Sequence, residues 1–439
     1  MQPRIYLTVL AFAIFYCATS QEKRKIQIFY EKGQLKEEYF ILQNDSSLID
    51  GDYKMFDPTG NTIVTGVFDN GSKEGIFNNY YSDGKLQRTT KYEDNLKQGI
   101  TKVYAANGQL IQEATFKNDT LVGDVKLYDE NGKIVSTTKF ARGKPDGPVY
   151  SYYDNGKVKE ETTYKDGKPN GPTRQYYENG NLKLEAEYQN GLLNGEYQTY
   201  YPSGQLEMEV LNNRGNKSGT LKTYYENGQL KSTGVYTDGG LSGDYLAYYD
   251  NGDLKSKYNY RNGFRVGANL DYFENGTVRV EATYSNSGQN VSIKEYSKKG
   301  NLIIQKQLKN EQPAGTWTFW ETNGKDLQLI ENYKKGKLEG LRTEYEKGNK
   351  ISEVNYVKGR KSGEAIEYYP NGNVMIRKQN ELNRLHGEFV KYYKNGQIEY
   401  QGKYIRNKRN GVWKFFDKKG NLTEEIKYQM GKEVNVDGK

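Results

Sequence analysis

The sequence predicts an all-β chain, an elongated solenoid-like meander of about 17 antiparallel β-hairpin repeats of 24 residues each. Three observations carry this reading. Glycines stand at 60, 84, 108, 132, 156, 180, 204, 228, 252, 276, 300, 324, 348, 372, 396 and 420, a spacing of 24 without a slip, and a less regular copy precedes them around Gly33. Ten of these glycines follow asparagine, and Asn-Gly between β-prone stretches is the strongest short-range hairpin signal. The composition agrees: 48 Gly and 41 Tyr against 9 Pro, with only 35% hydrophobic residues in 439, suit thin sheets joined by tight turns better than closed globular cores.

Taken in order, the chain opens with a stretch unlike the rest. Arg4 supplies a short basic start, Ile5–Cys17 is almost continuously apolar, and Ala18-Thr19-Ser20 precedes Gln21. Residues 1–20 therefore read as a signal peptide cleaved after Ser20, with an apolar run shorter than the ~20 residues of a membrane-spanning helix. The protein is expected to be exported, to the periplasm, the cell surface or beyond. Cys17 is the only cysteine, so cleavage leaves no thiol, disulfide or Cys-ligated metal. Loss of Arg4 takes the formal charge from +8 to +7, spread along the chain without the basic block that marks nucleic-acid arms.

The repeat array is expected over 21–431. In one regular copy Gly171–Tyr177 reads as a strand, Glu178-Asn179-Gly180 as a turn, and Asn181–Tyr188 as a second strand. There Leu182, Leu184, Ala186 and Tyr188 alternate with Lys183, Glu185 and Glu187, predicting one apolar and one charged face. A second glycine series at 51, 75, 99, 123, 147, 171, 195, 219, 243, 267, 315, 363, 387 and 411 reads as the second turn of each unit. Val291 interrupts it, and inserted Asp326 displaces it to Gly340.

Two further columns bear on the turn type. An aromatic residue lies four before the turn glycine, as at Tyr152, Tyr176, Tyr200 and Tyr224, and an aliphatic one lies two after it, as at Val158, Leu182, Leu206 and Leu230. A two-residue Asn-Gly loop puts Tyr176 and Leu182 on opposite faces. A three-residue loop ending in a left-handed glycine pairs them, and is favoured. Against it stands a second aromatic column, Tyr177, Tyr201, Tyr225 and Tyr249, on the other face of the first strand. No single hairpin can bury its own apolar strip, so stability must come from stacking. The polar tail 432–439 is expected to end the array and blunt its edge.

The recurring Tyr-Tyr-x-Asn-Gly-x-Leu-Lys-x-x-x-x-Tyr-x-x-Gly-x-x-x-Gly, nearly intact in Tyr152–Gly171, Tyr176–Gly195 and Tyr224–Gly243, resembles the bacterial MORN-repeat variant, whose members are commonly labelled YwqK-like antitoxin. The resemblance covers about residues 26–431. It implies a sheet of hairpins used for binding or scaffolding, and the antitoxin label implies, for some members, pairing with a secreted toxin. An export signal departs from an intracellular antitoxin.

No catalytic constellation emerges, and the chain is expected to be non-enzymatic, with no catalytic residue, cofactor or metal. The only histidine, His386, falls one before a second-series glycine, where other copies have Asn170, Asn194, Asp146 and Ser218, and reads as a solvated turn residue. The glycines are spaced for turns, not for a phosphate-binding loop. The tyrosine rows have a sharper reading. The Tyr176 column is assigned to packing between hairpins, whereas Tyr177, Tyr201, Tyr225 and Tyr249 are candidate ligand-contact aromatics, with packing as the competing role. Trp317 and Trp320, beside the Asp326 insertion, join them. The expected function is a protein-binding or scaffolding surface in the cell envelope or outside the cell. A toxin-neutralising partner and a glycan- or wall-binding adhesin are the alternatives; association with a membrane surface fits the class, and nucleic acid does not.

Overall fold

The structure, a computed structural model, describes residues 22–43 and 45–434. The leader expected over 1–20 lies outside the described residues, as does the end of the tail, 435–439. The chain divides into two units, 1–193 and 194–439. All regular structure among the described residues is β-strand. Within each unit the strands run antiparallel in chain order, each paired with the strand before and the strand after it.

The expected three-residue loop is present. In the hairpin of Lys168–Tyr176 and Leu182–Gln189, Tyr176 pairs directly with Leu182. The Gly180 N–H donates to the Tyr177 carbonyl and the Tyr177 N–H to the Asn181 carbonyl, each at 2.8 Å. Gly180 adopts φ +99°, a conformation costly for any residue with a Cβ. Beyond the turn the register slips, so that Gln175 faces Leu184 rather than Lys183. Directly opposed residues share a face, and this β-bulge therefore puts Leu182 on one face and Leu184, Ala186 and Tyr188 on the other. The single apolar face expected for these four is corrected to a split one.

The second turn also differs from expectation. It lies four residues before the second-series glycine, at pairs such as Asp166-Gly167 (φ 48° and 84°) and Asn190-Gly191 (φ 52° and 87°). Two consecutive left-handed residues make the two-residue hairpin turn that matches strand twist. Gly171 itself sits inside the strand Lys168–Tyr176 at φ +116°. There Tyr164 faces Pro169 while Thr162 faces Thr173, so this glycine serves a bulge. Val291 provides an internal control: where it replaces the glycine, Tyr284 pairs with Val291, the register runs without a shift, and the surplus residues form a longer loop, 285–289.

Most of the core is one row, seven before and six after the turn glycine, with Ile41, Leu42 and Val266 buried outside it. In the first unit Phe77, Thr90, Thr101, Ala114, Val125, Thr162, Thr173 and Ala186 are buried along it; in the second, Val210, Leu221, Ala282, Ala365, Phe389 and Trp413. Large residues fit against small ones on neighbouring strands. A Cβ on Gly66 would stand 2.4 Å from the Phe77 ring, and one on Gly402 2.3 Å from the Trp413 indole. At the end of the array Glu433 and Lys432 pair with Tyr428 and Gln429, so strand pairing continues past 431.

Candidate functional site

Both tyrosine columns fasten one copy to the next. The second-column hydroxyls of Tyr201, Tyr225 and Tyr249 donate to the backbone carbonyls of Tyr224, Tyr248 and Tyr272 at 2.9, 2.8 and 2.7 Å. Tyr81, Tyr153, Tyr369 and Tyr393 repeat the same bond 23 residues ahead. The lysine three residues after the turn glycine covers the ring, as Lys183 lies 5.7 Å from the centre of Tyr177 and Lys255 5.3 Å from that of Tyr249. Four residues proposed as ligand contacts thus have partners within the array, and a ligand seeking the hydroxyls of Tyr201, Tyr225 or Tyr249 would compete with the next copy's backbone. Tyr225→Phe is expected to cost about 1 kcal/mol, the net worth of one such bond, and to raise amide exchange locally over 217–262. Unchanged exchange there would remove the fastening role.

The first column works in the other direction. Tyr128, Tyr224, Tyr296 and Tyr368 donate to Glu113, Glu209, Glu281 and Glu353 of the preceding copy, at 2.9, 2.7, 2.9 and 2.5 Å. Burial first, and the carboxylate second, push these phenols up to about 12. The same glutamates meet cations across the strands, Lys102 at Glu113 (3.2 Å), Lys222 at Glu209 (3.2 Å) and Lys294 at Glu281 (3.5 Å). This is a ladder of opposite charges on the face away from the buried row, of the kind that sets register and solubility.

Trp317 lies in the buried row of its copy; its indole N–H donates to the Gln307 carbonyl at 3.0 Å and its ring sits 4.8 Å from that of Tyr333. Trp320 takes the first-column place and pairs with Leu327. The inserted Asp326 is absorbed in the intervening loop, and the next turn, Lys347-Gly348, is one residue shorter, restoring the period. His386 is corrected from turn to strand: it lies in Arg384–Tyr392 before the bulge glycine, with Nδ1 3.2 Å from Glu381 Oε2.

Sequence columns read around the turn missed the charged residues that enter the buried row. Among the described residues, only Lys306, Glu331, Arg342 and Lys378 place charge there, opposite Ile293, Trp317, Val354 and Ala365. Each is half-buried and ion-paired: Lys306 with Glu295 at 2.5 Å, Arg342 with Glu331 at 2.9 Å and with Glu344, and Lys378 with Glu367. Beside Arg342 and Lys378 lies an open groove of about 850 Å³. The row seven before and six after each glycine would have disclosed Lys306 and Lys378, whereas Glu331 and Arg342 are displaced from it by one residue by the Asp326 insertion and the shorter turn after it. No group of three or more His, Cys, Asp or Glu side chains among the described residues is placed to hold a metal, and no helix there is long and apolar enough to cross a membrane.

Hairpins of nearly constant length, closed by left-handed glycines and fastened copy to copy, define a β-hairpin repeat protein. The chain belongs to the MORN repeat variant family, which it matches over residues 73–94, 97–118, 121–141, 145–166, 169–190, 193–211, 217–238, 241–262, 265–286, 361–379, 385–406 and 409–430, more than half its length. No curated protein matches the chain. Among solved structures it is similar to the crystal structure of TcdB2-TccC3-Cdc42, at 11% identity and a TM-score of 0.13 over 92% of this chain and 27% of that one. It is also similar to TcdB2-TccC3-TEV and to TcdB2-TccC3 without its hypervariable C-terminal region. Each is 12% identical with a TM-score of 0.13, over 92% and 93% of this chain and 30% of the other. The chain thus spans under a third of the length of these proteins, a likeness too slight to bear on function.

Proposed function

We propose that this is an exported, non-enzymatic binding protein whose repeats present a surface to a protein partner. The observation that carries the reading is a row of exposed aliphatic side chains on the otherwise charged face of the first unit. Val67, Ile76 and Ile100 stand 42, 56 and 53% exposed, where some equivalent places elsewhere hold Asp124, Glu196 and Lys403 and others the exposed Leu211, Val235 and Val412. Ile76 and Ile100 face Lys91 and Thr115 across their strands. Apolar residues aligned on a polar sheet face are costly to leave in water and mark contact with another protein. Repetition favours an extended contact, since successive copies place equivalent residues in one line.

The experiment is a pull-down from the envelope fraction of the producing cell, with residues 21–439 as bait and mass spectrometry of what is retained. The endogenous chain recovered there is expected to begin at Gln21. One stoichiometric protein is expected, lost from an Ile76→Asp, Ile100→Asp bait of unchanged circular dichroism. Retention unaffected by that pair, or no protein retained, would refute the reading. A partner toxic on its own would establish the immunity role behind the antitoxin label.

A further inference from the structure

We propose that the groove beside Arg342 and Lys378 is a binding site for an uncharged saccharide. The groove exists because two rows are locally emptied. Eight residues after the turn glycine most copies carry an aromatic ring, as at Tyr356 and Tyr404, but this copy has Asn380; seven before it the following copies carry Phe389 and Trp413, but this one has Ala365. With no ring at either of these neighbouring positions, a groove of about 850 Å³ is open there, within the range of ordinary small-molecule sites. Ala365 lines it and is 1% exposed, and Tyr356 lines it with an aromatic ring.

The chemistry of the lining selects the ligand. Asn380 lines this groove, and its side-chain amide nitrogen is shielded from solvent without a hydrogen-bond partner, so a turn of the side chain would present a donor whose bond a ligand acceptor completes. Lys378 is neutralised by Glu367 and Arg342 by Glu344, whose other oxygen accepts from the Ser352 hydroxyl at 2.7 Å. Lys347, Lys361 and Glu346 also line the groove, so four cations stand against three carboxylates there, and neither an anion nor a cation meets a strong net attraction. What remains is a set of donors and acceptors side by side, with an aromatic ring at the wall. A sugar matches that set, because each hydroxyl donates and accepts at once and its ring face stacks on an aromatic. The place in the chain agrees: the stretch 287–360, bordering the groove, falls between the segments that match the repeat family, and it holds the lost bulge at Val291 and the Asp326 insertion.

This inference does not rest on the protein-partner reading, whose residues lie in the other unit. Residues 21–439 are tested on a printed array of neutral and acidic glycans, beside two variants. Asn380→Tyr restores the ring typical of the row and fills the groove; Asn380→Leu removes the donor at nearly constant volume. Retention of at least one neutral glycan is expected, falling at least tenfold in both variants while their unfolding midpoints are not lowered. Retention of acidic glycans alone, of none, or of a neutral glycan to the same extent by both variants would overturn the assignment.

Discussion

Trp413→Ala is expected to destabilise the last repeats by about 3–5 kcal/mol, the usual cost of emptying a fully buried aromatic site. Trp413 is 0% exposed and lies between Phe389, Tyr404 and Tyr428, with ring centres 5.9, 5.1 and 6.3 Å away and the Arg409 guanidinium 4.4 Å from its own. Because each copy leans mainly on its neighbours, the loss should be local. Hydrogen exchange followed by mass spectrometry should show faster exchange over 385–430 and none over 73–141. Gly402→Val is expected to destabilise as well, since its Cβ would enter the indole at 2.3 Å. The double variant should recover part of both losses, a coupling that residues in contact show and distant ones do not. Additive losses would dissolve the large-on-small account of the buried row.

Alkaline unfolding is the second large effect. Tyr128, Tyr224, Tyr296 and Tyr368 are raised from 10.0 to about 12 by burial and by the glutamate each one bonds; Tyr333, raised to about 12, does the same with Glu331. A raised phenol means that folding favours the protonated form. The stability this provides is whole below the unfolded value and is lost as pH climbs from 10 through about 12. On the acid side the sign reverses: Glu113 and Glu209, lowered chiefly by the tyrosine hydroxyls, add stability that is present above their ordinary 4.5 and is lost as pH falls below it. Urea unfolding midpoints should therefore hold level between these limits and drop on both sides. A Phe replacement at 128, 224, 296 and 368 should lower the plateau by about 1 kcal/mol per bond and flatten its alkaline edge. An alkaline edge equally steep in that variant would show that these four phenols do not govern it.

How far the sequence could be read follows from what each element requires. The period, the all-β class and the three-residue Asn-Gly loop were legible, because a left-handed glycine is a local demand that leaves its mark at one position. The second turn was misplaced by four residues for the same reason: glycines at 167 and 171 answer two different demands, a turn and a bulge, and composition alone does not tell them apart. The bulge after Leu182 then reversed which residues share a face, hiding the buried row. For the candidate sites, the aromatic residues were conspicuous but their partners were not. Whether Tyr225 faces solvent or bonds to the Tyr248 carbonyl depends on the neighbouring copy.

Repeat length, strand order and the chemistry of the first turn were thus determined by the sequence itself, since each is set by a few adjacent dihedral angles and recurs often enough to be unmistakable. Only the tertiary structure decided which columns meet. A single extra residue in a strand exchanges the two faces, and fit between neighbouring copies is a property of pairs. The placement of Ala365 and Asn380 beside each other, and the groove they open, belongs to that second class.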